Sequence, residues 1–332
     1  GTGNITISGI ISGANALTKV AANTLTLSGA NTYTGSTTIS AGTLQLNPGG
    51  TISSSSSIIN NAALVYANNI VNTANGVTGS GTIGVNSGST LQLTGALGTT
   101  GLVTINTGGV LDLNGQSNTG AISLSGTGIS SAGALINSSA TAATQSGNVA
   151  LIAATSIGGT GNITISGSIS GAFALSFSSA GNISLLGAVA NLQLDGGSLA
   201  SLNVSNAAIT TISGALSSPG DLLFTGSSAF TVNAAGSITS SAGDVVISTA
   251  QFINSAGSSA ISATLKKWQV WSSNASPFSG GSQDLPGNLP ANYIQYNAIY
   301  GVTPVSGLGN GLWYSFAPTL TATISGSSNK TY

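Results

Sequence analysis

Apolar and polar residues alternate in short runs along most of the chain, and the runs recur at a fixed distance. Leu25-Thr26-Leu27 and Leu44-Gln45-Leu46 are separated by a turn-rich stretch of Gly, Asn, Ser and Thr, with an offset of 19 from Leu25 to Leu44. The apolar centres continue at Leu64, Ile83, Val103 and Ile122, in steps of 19 or 20. A second series runs through Leu91 and Leu111, and a third through Ile163, Ile183, Leu202 and Leu222. Each site has apolar residues at i and i+2, as in Ile163/Ile165, Ile183/Leu185, Leu202/Val204 and Leu222/Phe224. Period two is the signature of a strand with one face buried. Gly and Asn mark the corners, where positive φ is tolerated. No window sustains the period of an α-helix.

A strand recurring every 19–20 positions predicts an all-β fold, a parallel β-helix in which each coil adds one rung. One coil cannot bury its few Ile, Leu and Val residues alone, but stacked coils form a continuous apolar column at about 4.8 Å per rung. Residues 1 to about 262 then make roughly thirteen coils and a rod about 60 Å long. Asn, Ser and Thr at the corners are expected to hydrogen-bond along the axis. Both ends of such a rod expose strand edges, which must be capped, continued or joined to another molecule.

Two features interrupt the regularity. Gly1 to Leu17 and Gly159 to Leu175 agree at fifteen of seventeen positions, at an offset of 158. Eight coils span that offset, so the copies are expected in the same phase. Residues 128 to 157 lose strict phase, and an irregular or looped coil is expected there. Beyond Lys266 the composition changes: all three Trp and five of the seven Tyr lie there. This divides the chain into a β-helix over 1–263 and a small β-rich module over 264–332 that closes the helix or links to a following domain. The abrupt start at Gly1 inside a strand pattern suggests a piece of something longer.

Charge narrows the function classes. Only 3% of the 332 residues are charged, against about 25% in ordinary soluble domains. The acids are Asp112, Asp195, Asp221, Asp244 and Asp284, and the bases Lys19, Lys266, Lys267 and Lys330. The net charge of -1 supplies no basic surface for nucleic acid or anionic lipid. A membrane-spanning helix takes roughly 20 apolar residues in a row. No run approaches that length, so no membrane insertion of this segment is expected. With no His, Cys, Arg or Glu, the usual acids, bases and thiol nucleophiles are missing. No catalytic residue, cofactor site or metal site is expected. Asp195, Asp221 and Asp244 follow one another at offsets of 26 and 23. They would line up loosely on successive coils, as paired carboxylates of a glycosidase require. Solvated Asp at turns is the plainer reading. The aromatic group Trp268, Trp271, Tyr296, Tyr300, Trp313 and Tyr314 is the candidate ligand or partner contact, by stacking on sugar, set against the alternative that it is the core of the C-terminal module.

Leu17 to Leu46, with LTK, then TLTLSGANTYTG, then a TTI-x-AGTLQL close, resembles the autotransporter-associated β-strand repeat. That resemblance implies a passenger region of a secreted bacterial surface protein, folded as a right-handed β-helix. A second resemblance covers Lys267 to Ser272 (KWQVWS), Tyr296 to Gly301 (YNAIYG) and Gly309 to Ser315 (GNGLWYS). These look like the segment closing the β-helix of filamentous-haemagglutinin-like adhesins, in which small β domains then follow. Lys330-Thr331-Tyr332 stands where the next domain would open.

The resulting expectation is a secreted, cell-surface adhesin segment, a rigid non-enzymatic stalk. Its partners would be a host or neighbouring-cell surface, or copies of itself end to end. The alternatives are a subunit of an extracellular filament or sheath, and a polysaccharide-cleaving β-helix enzyme.

Overall fold

The computed structural model describes residues 3–67, 71–74, 76–99, 101–305 and 309–318. Three strands per turn wind into a parallel β-solenoid of about fifteen turns, and every paired strand in it runs parallel to its neighbour. The three strands of a turn lie on three faces. One turn, for example, places Thr82–Val85 on the first face, Thr90–Leu93 on the second and Gly98–Thr99 on the third.

The apolar period is the register of the first face. Leu25, Leu44, Leu64, Ile83, Val103 and Ile122 are successive Cα partners up one column. Leu91 and Leu111 pair on the second face. Ile163, Ile183, Leu202 and Leu222 pair on the third. The first face carries thirteen described rungs, from Ile5–Ile7 to Phe252–Asn254. The inward side chains merge into one core along the rod, and most of them are fully buried. Alternation of buried and half-exposed residues along each short strand is the period-two pattern seen from inside.

The two near-identical segments do not share a phase. Ile5–Ile7 lies on the first face and pairs with Leu25–Leu27, whereas Ile163–Ile165 lies on the third and pairs with Ile183–Leu185. The coil from Ile122 to its partner Val149 spans an offset of 27 in place of the usual 19 or 20. Its extra length includes a 3-10 turn at Ile129–Ser131, in which Ser130 and Ser131 adopt positive φ. That longer coil sets the later copy back by one face, onto the third face just before the first-face rung at Ile169. Immediately after it, Val149–Gly159 runs as one long strand that serves the first face at its start and the second at its end.

The division near residue 263 falls between Ile261–Ala263, the last rung of the second face, and Trp268–Ser272 on the third. Trp268–Ser272 stacks in register on Val245–Thr249, so the third face runs through this point without a break. Above it the order of rungs departs from the order of the chain. Gly311–Tyr314 lies directly on Trp268–Ser272, and Tyr293–Tyr296, earlier in sequence, lies outside it as the terminal strand. Residues 330–332 lie outside the described residues.

Candidate functional site

Strand alternation sends the aromatic residues of the last rungs to opposite sides of the wall. Trp268 (1% exposed) and Tyr314 (5%) join the main core. Trp271 and Trp313 point outward and form a second cluster with Ala298, against Val246 and Tyr293. Their rings stack at 4.7 Å with 11° between planes, the favourable offset arrangement for neighbouring aromatics. Tyr293 and Tyr300 meet this pair edge-on, at 5.0 and 5.6 Å. Each indole N–H has a partner: Trp271 donates to Gln269 Oε1 at 3.1 Å and Trp313 to Gln295 Oε1 at 3.0 Å.

The six candidate contact residues therefore divide. Trp268, Trp271, Trp313 and Tyr314 are buried. Tyr296 and Tyr300, each 39% exposed, are the ones a ligand would reach. Tyr296 stacks on Tyr314 at 6.0 Å, and Phe278 packs against both. Burial, then the charge of Asp284, then Tyr296 raise the pKa of Tyr314 above the usual tyrosine range. The cleft beside Trp271 and Tyr300 also involves Ser248, Ser273, Ile299 and Ser315 and holds about 200 Å³. Pockets for small molecules usually hold about 300–1,000 Å³.

Two of the three acids expected to line up have carboxylates occupied by backbone. Asp221 accepts the N–H of Asp244 at 2.8 Å, and Asp244 accepts that of Lys267 at 3.1 Å, one rung on in each case. Asp195 stands at a different corner, where its carbonyl abuts Gly214. The three acids proposed to line up are thus a stacked pair and an outlier. Asp112 is buried and accepts four hydrogen bonds, from Gln92, Asn114, and both the N–H and the hydroxyl of Ser138. Among the described residues no group of three or more His, Cys, Asp or Glu is placed to hold a metal ion.

The polar residues of Leu17 to Leu46 tie coil to coil. Asn31 accepts the N–H of Ile11 at 2.8 Å through Oδ1 and donates through Nδ2 to the Thr51 carbonyl at 3.0 Å, one coil away in either direction. The buried Lys19 ammonium donates to the carbonyls of Ala21 and Ala41. Tyr33 Oη lies 2.6 Å from Thr37 Oγ1, which donates to Ser55 Oγ at 3.0 Å. Gly42 has φ +71°, and a Cβ there would meet the Ala21 and Asn23 carbonyl oxygens at 2.3 Å. Hydrogen bonds along the axis were expected of corner Asn, Ser and Thr, but not which residues pair, because the partners lie a full coil away.

A solenoid of neutral rungs, joined by side chains that bridge coils, is the class of molecule these features define. The family model described as the passenger-associated-transport-repeat matches residues 17–46, a repeat typical of autotransporter passenger domains. The chain is thus similar to the β-helical, surface-exposed passenger regions of that group. The match does not reach 267–315. No curated protein and no solved structure matches the chain.

Proposed function

We propose that this chain is a non-enzymatic segment of a secreted, cell-surface adhesin. It serves as a stiff strut holding a contact surface away from the cell. The observation that carries this reading is the coil-bridging repeat at 17–46 on a fifteen-turn parallel solenoid. The use of Lys19, Asp112, Asp221 and Asp244 to satisfy backbone and side-chain hydrogen bonds supports a structural rather than a chemical role. The partner is a host or neighbouring-cell surface, met through neutral polar and aromatic groups. Nucleic acid and the bilayer interior are poor partners for a chain with four Lys and five Asp.

The test is adhesion by beads coated with the purified chain, with electron microscopy of the same preparation. Bead capture by cells together with discrete short rods is the expected result. Regular fibres with a repeat near one chain length would replace the adhesin with a filament subunit. Release of reducing ends from a polysaccharide panel, lost in Asp221→Asn, would replace it with an enzyme.

A further inference from the structure

The terminal rungs of the third face are out of chain order, and the two strands involved are interchangeable in pattern. Tyr293-Ile294-Gln295-Tyr296 and Gly311-Leu312-Trp313-Tyr314 pair position for position. Both place a branched aliphatic residue and a tyrosine on the core side of the register, Ile294 with Tyr296 and Leu312 with Tyr314. Both follow an asparagine. Asn310 Oδ1 accepts the N–H of Trp268 at 2.9 Å, and Asn292 Oδ1 accepts the N–H of Asn310 at 2.8 Å. A parallel edge recognises backbone and inward side chains. On both counts the open edge of Trp268–Ser272 accepts either strand, and Tyr293–Tyr296 is the earlier of the two along the chain.

The outward residues decide the final order. Gly311 is seated where a Cβ would come within 2.8 Å of the Trp313 ring and 3.0 Å of the Tyr293 ring. Its missing side chain lets both rings close over it. In the middle position Trp313 has Trp271 on one side and Tyr293 with Gln295 on the other. Placed outermost, it would keep only one of those two sets. We infer that the rod end is a strand-exchange latch. Tyr293–Tyr296 docks first on Trp268–Ser272, and Gly311–Tyr314 then inserts between them and moves it out by one rung. The end of the solenoid is completed only when residue 314 is in place.

The chain contains no cysteine, so engineered pairs report register directly. Gln269 and Tyr293 are two rungs apart, about 9.6 Å, beyond the roughly 7 Å that a disulfide spans between Cα atoms. If Tyr293–Tyr296 docks first, the two are nearest partners in the early state. A Gln269→Cys/Tyr293→Cys chain refolded with oxidant present from the start is expected to lose its free thiols. The same chain oxidised after folding is expected to keep them. Val246→Cys/Gln269→Cys, partners in the finished rod, is the positive control for cross-linking. Adding Leu312→Asp, which puts a charge in the core column and blocks insertion, is expected to restore cross-linking after folding. Free thiols retained under every condition, or lost under every condition, would overturn the latch. So would a Leu312→Asp chain that keeps its thiols.

Discussion

Tyr66 and Tyr314 set how the rod responds to alkali. Burial raises both phenols above the usual tyrosine pKa of about 10, and at Tyr314 the charge of Asp284 and Tyr296 add to it. A group whose folded pKa is raised binds more protons folded than unfolded once pH passes the unfolded value. Its stabilisation is complete below about pH 10 and is lost as pH rises through the folded pKa. With no His or Cys side chain, nothing comparable titrates near neutrality. Urea midpoints are expected to be level from pH 6 to 9 and to fall from pH 10 to 11. Tyr66→Phe should reduce that fall, since the Tyr66 hydroxyl is buried without a hydrogen-bond partner.

Other single residues are ranked by what they touch. Leu44→Ala, in the fully buried first-face column, is expected to cost about 2–5 kcal/mol in denaturant unfolding. Leu265→Ala, at 74% exposure, should stay within about 0.5 kcal/mol of the parent. Asn137 is buried and donates to Thr141 and Asn162 carbonyls while accepting from the N–H groups of Gly115 and Ser139. Its replacement by Ala leaves several buried groups unpaired, at about 1–3 kcal/mol each where water cannot reach. The leucine columns were legible in the sequence because period two and period 19–20 are both one-dimensional. The role of Asn137 was not, because its partners are scattered before and after it around an irregular coil, from Gly115 to Asn162.

At the scale of the coil, length sets phase. An offset of 19 or 20 returns the chain to the same face, and the longer coil after Ile122 upsets that count. Fifteen shared positions of seventeen therefore did not place the two copies alike, since the face a segment occupies is decided by everything wound before it. Corners are the second constraint. Gly42 combines positive φ with carbonyl oxygens of the previous coil within 2.3 Å of any Cβ. Gly42→Ala is expected to lower stability by about 1–3 kcal/mol from backbone strain alone. Gly95, with open space around it, should accept Ala with little change in the same assay.

For the whole molecule, cohesion comes from a continuous apolar column and neutral hydrogen bonds rather than from ions. The unfolding midpoint is expected to change little between about 0.05 and 0.2 M sodium chloride, because surface charge attraction is what salt screens in that range. A large drop over that range would show that the nine charges matter more than their contacts suggest. Both ends leave apolar side chains open: Ile5 and Ile10 are 52% and 64% exposed at the first rung, and Ile294 is 50% exposed in the terminal third-face strand, which Phe278 overlays in part.

The residues by themselves determined the stacking: strands every 19–20 positions, apolar at i and i+2, must pile in parallel register to bury anything. They also marked the coil at 17–46 and the aromatic change of character past Lys266. Only the folded molecule decided which face each copy of the repeat took. It also decided which aromatics turned inward and that Gly311–Tyr314 lies inside Tyr293–Tyr296. Those outcomes depend on accumulated coil length and on rings from distant positions meeting across rungs, and neither quantity is local to any stretch of sequence.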